Sequence, residues 1–124
     1  LGPTVEPLAE LADDDAFLSK VHFSSAKNTA IRGKMETLKP DQIVIAGIEA
    51  HVCVLQSALG FMELGYRCFV VADATSSRSP ANHAAAMTRM REAGVEIVTS
   101  EMIVFEWLEK AGTDEFRELS RLLK

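Results

Sequence analysis

Short apolar runs that alternate with helix-forming segments are the feature that most constrains how this chain can fold. Continuous apolar runs are typical of strands that are buried on both faces of a parallel sheet. A segment with apolar residues at helical spacing follows each of the later runs. We therefore predict an α/β fold with right-handed crossovers, in which helices cover both faces of one parallel sheet. The predicted strands are Phe17–Phe23, Gln42–Ala46, Cys68–Ala72 and Val95–Thr99.

Capping residues mark the ends of the predicted helices. Serine and threonine are favoured before the first turn, and glycine is favoured after the last. We predict Ser79, Ser100 and Thr113 as N-caps, with Gly65, Gly94 and Gly112 as helix ends. Residues 1–124 are expected to form one domain. The predicted helices cover Thr4–Ala12, Thr29–Leu38, Ala50–Leu64, the segment from Pro80 to Gly94, Glu101–Ala111 and the residues that follow Thr113.

Charge and composition exclude several classes of protein. The formal net charge is −5, whereas a general nucleic-acid binder needs a basic stripe to replace counterions on phosphates. The apolar runs are far shorter than the roughly 20 residues that span a bilayer. Neither Cys53 nor Cys68 has metal-type spacing, and no cofactor or metal is expected. With no signal-peptide pattern at Leu1-Gly2-Pro3, the two thiols predict a reducing, cytoplasmic location.

Cys53 is the sharpest candidate for chemistry. It falls in the first turn of the helix that follows the strand Gln42–Ala46, where free backbone N–H groups point outward. Their field favours a thiolate and is suited to an oxyanion on a substrate. The alternative is a buried helical cysteine that acts as a small hydrophobe. Position by itself does not decide between the two.

Lys20 interrupts an otherwise apolar predicted strand, and there it can support the charge of a nearby thiolate. A lysine that protects an edge strand from aggregation is the alternative, which the residues alone favour. His51 lies two residues before Cys53 and so does not face it on a helix. We expect His51 to line the pocket or lie on the surface. The polar run Asp73–Arg78 is predicted to shape the site or a subunit contact, although Asp73 can instead simply hold its own loop.

Several segments together resemble the isochorismatase-like cysteine hydrolases. Ile45–Ala58 is similar to the nucleophile segment of that family. Gly65-Tyr66, Val70–Arg78 and Thr99–Met102 followed by Phe105-Glu106 are also typical of it. These later segments look most like the isochorismatase domain-containing branch rather than the nicotinamidases.

The resemblance implies a three-layer α/β/α, Rossmann-like fold with an Asp–Lys–Cys triad. Cys53 matches the nucleophile and Lys20 matches the lysine. The family also has a cis peptide, which here falls at Ile48–Glu49. It helps to aim backbone N–H groups from around Glu49 and Cys53 at the oxyanion, so Glu49 and Ala50 are the expected oxyanion or substrate-binding residues. The implied activity is hydrolysis of a small amide, enol ether or related small-molecule substrate, without nucleic-acid or membrane partners.

The family's aspartate has no counterpart in the sequence. In the family it ends the first strand, and neither that strand nor the next helix and strand is matched here. Asp13, Asp14 and Asp15 are wrongly placed to substitute. We therefore expect a C-terminal portion of a longer protein. A complete chain of this length is expected to have poor stability and no triad-type activity.

Two further functional interpretations stay open at this level. A non-catalytic interaction protein on the same fold is the main alternative to an enzyme, and a redox-sensing thiol protein is a weaker one. Oligomers are common in the family, so a homo-oligomer is expected. The apolar residues of the C-terminal helices are either its contact surface or simply core: Phe105, Trp107, Phe116 and Leu119.

Overall fold

The computed structural model describes residues 2–123. Helices and strands alternate through most of this range, as the apolar pattern predicts. The helices are α1 (Glu6–Ala9), α2 (Thr29–Leu38), a π-helical turn (Ala50–Val54) that continues into α3 (Leu55–Glu63), α4 (Pro80–Glu92), α5 (Ser100–Leu108) and α6 (Asp114–Leu122). The strands are β1 (Gln42–Ile48), β2 (Arg67–Ser76) and β3 (Glu96–Val98), and short 3-10 turns cover Asp14–Ala16 and Ser25–Lys27.

The strands form one parallel sheet in the order β1-β2-β3 within the described residues. Ile43 pairs with Cys68 near the start of β1. The register shifts between Ile45 and Gly47, so that Ile48 pairs with Ser76 at the end of both strands. The predicted fold class is confirmed: the protein is α/β, with a parallel sheet flanked by helices.

Alternate residues of β2 enter two separate apolar clusters, one on each face of the sheet. Cys68 and Val70 belong to the larger cluster, which also contains buried residues of α3 and α4. Phe69 and Val71 belong to the smaller cluster, which contains Ile103 of α5. This alternation is the period-2 pattern of a strand that is covered on both faces.

The predicted strand Phe17–Phe23 is wrong. Residues 17–20 have no regular secondary structure and residues 21–23 form a bend, without a sheet partner, and Val21 is 93% exposed. A strand requires a neighbour to accept its backbone hydrogen bonds, and the described residues provide none here. The apolar and aromatic content of the segment led to a strand assignment that tertiary pairing does not support.

β1 is less buried than its continuous apolar sequence predicts. Ile43 is buried, but Val44 is 39% exposed and Ile48 is 55% exposed. Within the described residues β1 lies at an edge of the sheet, because β2 is its only partner. Its sequence is that of an internal strand, in a position where one side is uncovered.

Several predicted boundaries also shift. The first helix is much shorter than Thr4–Ala12, and the expected loop from Asp73 continues β2 as far as Ser76. α5 is capped by Thr99 rather than Ser100, and it ends at Leu108. Ser79 precedes α4 without a side-chain cap. Thr113 does cap α6, where its hydroxyl accepts the N–H of Phe116 at 3.1 Å.

Candidate active site

A cavity of about 840 Å³ opens beside the carboxyl end of β1. Ligands of open parallel sheets bind at such strand ends. Polar and apolar residues line the cavity, and the charged or nucleophilic ones among them include Lys20, Glu49, Cys53 and Arg78. Three of the four predicted site residues, Lys20, Glu49 and Cys53, therefore share one cavity.

Cys53 lies in the π-helical turn Ala50–Val54 and is partly exposed. The peptide bond between Ile48 and Glu49, just before this turn, is cis, as the family resemblance implies. The Glu49 carbonyl accepts the N–H of Val52 at 3.1 Å and the N–H of Val54 at 3.2 Å. These two donors are therefore committed, so any oxyanion at this turn must use its other N–H groups.

Lys20 is held by its own segment. Its ammonium donates to the carbonyls of His22 at 2.9 Å and Phe23 at 3.0 Å. An ammonium has three protons, so one remains for the cavity. The lysine that sequence reasoning placed on a strand instead directly precedes a bend at residues 21–23, and its side chain donates to two carbonyls of that bend.

The residues after Lys20 are fastened to α3, the helix that continues from the Cys53 turn. Ser24 Oγ donates to the carbonyl of Gln56 at 3.0 Å, and Ser57 Oγ accepts the Ser25 N–H at 2.8 Å. Gly60 permits this close approach, since a Cβ there would lie 2.9 Å from both Ala26 Cβ and Ser24 Oγ. These contacts bring Lys20 to the cavity that holds Cys53.

Glu49 and Arg78 form an ion pair at the cavity wall. Arg78 Nε donates to Glu49 Oε1 at 3.0 Å, and Arg78 Nη2 donates to Oε2 at 2.7 Å. The backbone N–H of Arg78 also donates to Oε1 at 3.0 Å. The side-chain and backbone hydrogen bonds from Arg78 lower the pKa of Glu49 to about 2.

Sequence reasoning gave Arg78 no partner and assigned Glu49 a role only through its backbone. A signal existed in the parallel order of the strands. Arg78 closes the polar run after β2, and Glu49 directly follows β1, so neighbouring strand ends bring the two charges together.

The other residues near Cys53 have structural partners. Ala50, the fourth predicted site residue, is completely buried in the larger apolar cluster and is not among the residues that line the cavity. His51 Nδ1 lies 2.9 Å from Ser77 Oγ. This contact turns the imidazole toward the end of β2, as expected for a residue that is not the base.

Asp73 acts as a structural residue, which was one of its two predicted roles. Its carboxylate accepts the Ser100 N–H at 2.8 Å and the Ser100 hydroxyl at 2.5 Å. These hydrogen bonds lower the pKa of Asp73. They tie the end of β2 to the first turn of α5.

Cys68 differs from Cys53 in its surroundings. It is buried on β2, and burial raises the pKa of its thiol to about 11. A neutral, enclosed thiol is a poor nucleophile.

Among residues 2–123, no three His, Cys, Asp or Glu side chains are grouped to hold a metal ion. No helix in the same range has the length and apolar character needed to cross a bilayer.

The structure is thus a parallel α/β domain with a cysteine in the turn after a strand. That cysteine and a lysine line one cavity. The chain belongs to the isochorismatase-like hydrolase family, because the isochorismatase domain matches residues 2–102. It is 36% identical to the secreted isochorismatase effector Isc1 of Phytophthora sojae over 129 residues. It is also 36% identical to isochorismatase domain-containing protein 2 of Xenopus laevis over 125 residues.

These relatives are longer than the chain. The two alignments include 100% and 99% of the chain, but only 61% and 59% of the relatives' own lengths. The activity of a whole protein that contains these residues is therefore a matter for proposal.

Solved structures share the fold. A MAR1 ribonuclease from Caenorhabditis elegans has a TM-score of 0.80 and 33% identity, with 98% of this chain and 62% of that chain covered. YcaC from Pseudomonas aeruginosa, solved with hexane-2,5-diol and covalent acrylamide, has a TM-score of 0.79 and 25% identity, with coverage of 93% and 58%. The Escherichia coli YcaC gene product, described as an octameric hydrolase, has a TM-score of 0.74 and 28% identity, with coverage of 79% and 48%.

Proposed function

We propose that the protein is a cysteine-nucleophile hydrolase of a small amide, enol ether or related substrate. The observation that carries the proposal is that Cys53 and Lys20 line the same cavity at the carboxyl end of β1. Cys53 is the nucleophile, and the Lys20 ammonium stabilises the thiolate and the developing negative charge. Two carbonyl groups already orient that ammonium, so it is preorganised for the task.

For an amide substrate the chemistry proceeds in two steps. The Cys53 sulfur attacks the carbonyl carbon, the oxyanion forms, and the C–N bond breaks as the amine leaves with a proton from a general acid. Water then attacks the thioester, a general base takes its proton, and the acid product leaves as the thiolate is restored. Backbone N–H groups around Glu49 and Cys53 are the proposed donors to the oxyanion, since both residues line the cavity and Ala50 does not. These steps use protein groups and water, without a cofactor.

The acid–base group of this mechanism is proposed to be an aspartate outside the described residues. Among residues 2–123, Glu49 is the one carboxylate that lines the cavity. Its oxygens accept hydrogen bonds from Arg78, and its pKa of about 2 makes it too weak a base near neutral pH. The family resemblance supports an aspartate on an N-terminal strand.

Substitution of the two central residues tests the proposal on the full-length protein. A panel of amides and enol ethers first identifies a hydrolysed substrate. Cys53→Ala is expected to lower kcat by at least about 1,000-fold, since a covalent route is lost. Lys20→Met is expected to lower it by roughly 100-fold. Turnover that survives Cys53→Ala contradicts the proposal.

Acrylamide provides a second readout that needs no substrate. The P. aeruginosa relative carries covalent acrylamide, so mass spectrometry of labelled peptides compares the two cysteines here. We expect rapid labelling of Cys53 and none of the enclosed Cys68 in the folded protein. Cys68→Ala is the matched control, and a folded Cys68→Ala variant keeps its turnover.

A non-catalytic interaction protein is the second candidate. One observation favours this candidate: the cavity of the described residues holds no carboxylate that is suited to proton transfer. Slow acrylamide labelling of Cys53 together with no turnover across the panel supports this candidate, because an activated thiolate reacts quickly.

The proposed partners are a small-molecule substrate and further copies of the chain, without nucleic acid or membrane. A MAR1 ribonuclease is among the similar structures, but the net charge of −5 disfavours binding to RNA. A cytoplasmic location stays a prediction, and the P. sojae relative is named as secreted.

We propose that α6 is the contact surface of a homo-oligomer. None of the residues in this helix is buried, and Leu122 is 78% exposed. Acidic residues occupy its first turn and Arg121 its last. An antiparallel α6 pair therefore places acids against bases, which suits a two-fold contact between identical chains. The octameric E. coli relative supports self-association.

A further inference from the structure

The Glu49–Arg78 pair has more contacts than an ordinary surface ion pair. The Arg78 backbone N–H and its guanidinium both donate to the same carboxylate, with N···O distances between 2.7 and 3.2 Å. The arrangement is bidentate, which fixes the orientation of the carboxylate as well as its distance. Glu49 is enclosed, with 14% of its side chain exposed, whereas the Arg78 side chain is 77% exposed.

Glu49 is also the residue from which the Cys53 turn begins. Its carbonyl accepts the N–H groups of Val52 and Val54, on either side of Cys53. Its carboxylate is held from the neighbouring strand end by Arg78. Glu49 is thus fixed through its backbone and through its side chain, and any tilt of its backbone moves Cys53.

A second contact runs parallel to the first. His51 Nδ1 lies 2.9 Å from Ser77 Oγ, so two adjacent residues after β2 contact the turn that carries Cys53. The strands below are already paired, with Ile48 opposite Ser76. The ion pair therefore extends the sheet register into the reactive turn.

We propose that Arg78 is a positioning residue, which acts through the Glu49 carboxylate to fix the direction of the Cys53 sulfur and of the neighbouring backbone N–H groups. The contribution of Arg78 to catalysis rests on the proposed function, but the effect of Arg78 on the orientation of Cys53 does not. Arg78 is largely exposed, but the Glu49 carboxylate that it contacts is enclosed. Loss of the pair is therefore tested for its effect on stability as well as on the geometry of the site.

The rate of acrylamide addition to Cys53 in the full-length protein tests the proposal. Positioning predicts that Arg78→Gln and Glu49→Gln both lower the rate by about tenfold, since small misplacements of reacting groups are costly. The double variant is expected to be no slower than the single ones, because both remove the same contact. Arg78→Lys keeps the charge without the bidentate geometry, so it restores only part of the rate.

Direct action of the Arg78 charge on the thiolate gives a different pattern. In that case Arg78→Gln lowers the rate, while Glu49→Gln raises it by removing a nearby negative charge. Opposite effects of the two substitutions, or additive losses in the double variant, overturn the proposal. Unchanged rates in all variants also overturn it.

Arg67→Gln is the matched control. Arg67 lies on the same strand as the Arg78 loop and forms an exposed ion pair with Glu96 at 2.6 Å, at the opposite end of the sheet. Its removal is expected to leave the rate unchanged. Thermal unfolding establishes that each variant is folded, and Arg78→Lys with Glu49→Gln provides the comparison if Arg78→Gln does not fold. Failure of the hydrolase proposal appears separately, as turnover that survives Cys53→Ala.

Discussion

Gly60 sets how closely the segment after Lys20 approaches the helix of Cys53. In an ordinary helix interior, Gly→Ala is stabilising by roughly 1 kcal/mol. At Gly60 the added Cβ would lie 2.9 Å from Ala26 Cβ and Ser24 Oγ, so we expect Gly60→Ala to lower the free energy of unfolding by about 1–3 kcal/mol, as overpacking does. Displacement of Ser24 is also expected to slow acrylamide addition to Cys53.

Gly33 provides the control for this substitution. It lies within α2, and a Cβ there would meet nothing within 4 Å. Gly33→Ala is therefore expected to raise the free energy of unfolding, by about 0.5–1 kcal/mol. Urea unfolding of both variants measures the two effects. Equal stabilisation by Gly60→Ala and Gly33→Ala contradicts the packing that the structure shows around Gly60.

Among single residues, the local sequence predicted site residues whose role depends on their place in one element. The position of Cys53 in the first turn after a strand made it a candidate, and the family resemblance made Cys53 and Lys20 the predicted catalytic residues. The Glu49–Arg78 pair was missed because 29 residues separate the two. Their contact depends on the register of β1 against β2, which includes a shift between Ile45 and Gly47 that no local pattern encodes.

At the scale of elements, strand prediction succeeded for segments that other described residues pair with and cover. β2 has apolar clusters on both faces, so its apolar run was a reliable strand signal. The segment Phe17–Phe23 has similar residue types but no neighbouring strand, so the same signal was wrong there. The π-helical start at Ala50–Val54 was not predicted, because a single turn is too short to show whether apolar residues recur at the α or at the π spacing.

The junction of β2 with α5 depends on Asp73, and its strength should depend on pH. Asp73→Ala removes two hydrogen bonds to Ser100. We expect a loss of about 1 kcal/mol of unfolding free energy at pH 7, a modest value because the group is exposed. The folded state lowers the pKa of Asp73. Its contribution is therefore complete above the ordinary carboxyl pKa of about 4 and declines as the pH falls below it.

Urea unfolding at pH 7 and at pH 3 measures this dependence. The difference between wild type and Asp73→Ala should be smaller at pH 3. Asp41→Ala, which changes an exposed aspartate before β1, is the control for a general effect of net charge. A difference that grows toward acid pH contradicts the stabilising role of the ionised Asp73.

The whole molecule leaves two apolar surfaces uncovered within the described residues. One is the open side of β1, and the two relatives are long enough to supply further chain there, since this chain spans 61% and 59% of their lengths. The other is α6, in which none of the residues is buried. A further copy of the chain is the cover proposed for that helix.

Leu122→Glu in the full-length protein tests the role of α6 in self-association. Burial of one leucine contributes at least about 1.5 kcal/mol, and a two-fold contact contains the residue twice. The substitution should therefore raise the dissociation constant by about 100-fold or more. Light scattering across a range of concentrations measures the mass. Leu38→Glu, at a leucine of α2 that is 62% exposed, should leave the mass unchanged. A wild-type protein that is monomeric throughout contradicts the proposed surface. Equal losses in both variants also contradict it, because the loss is then not specific to α6.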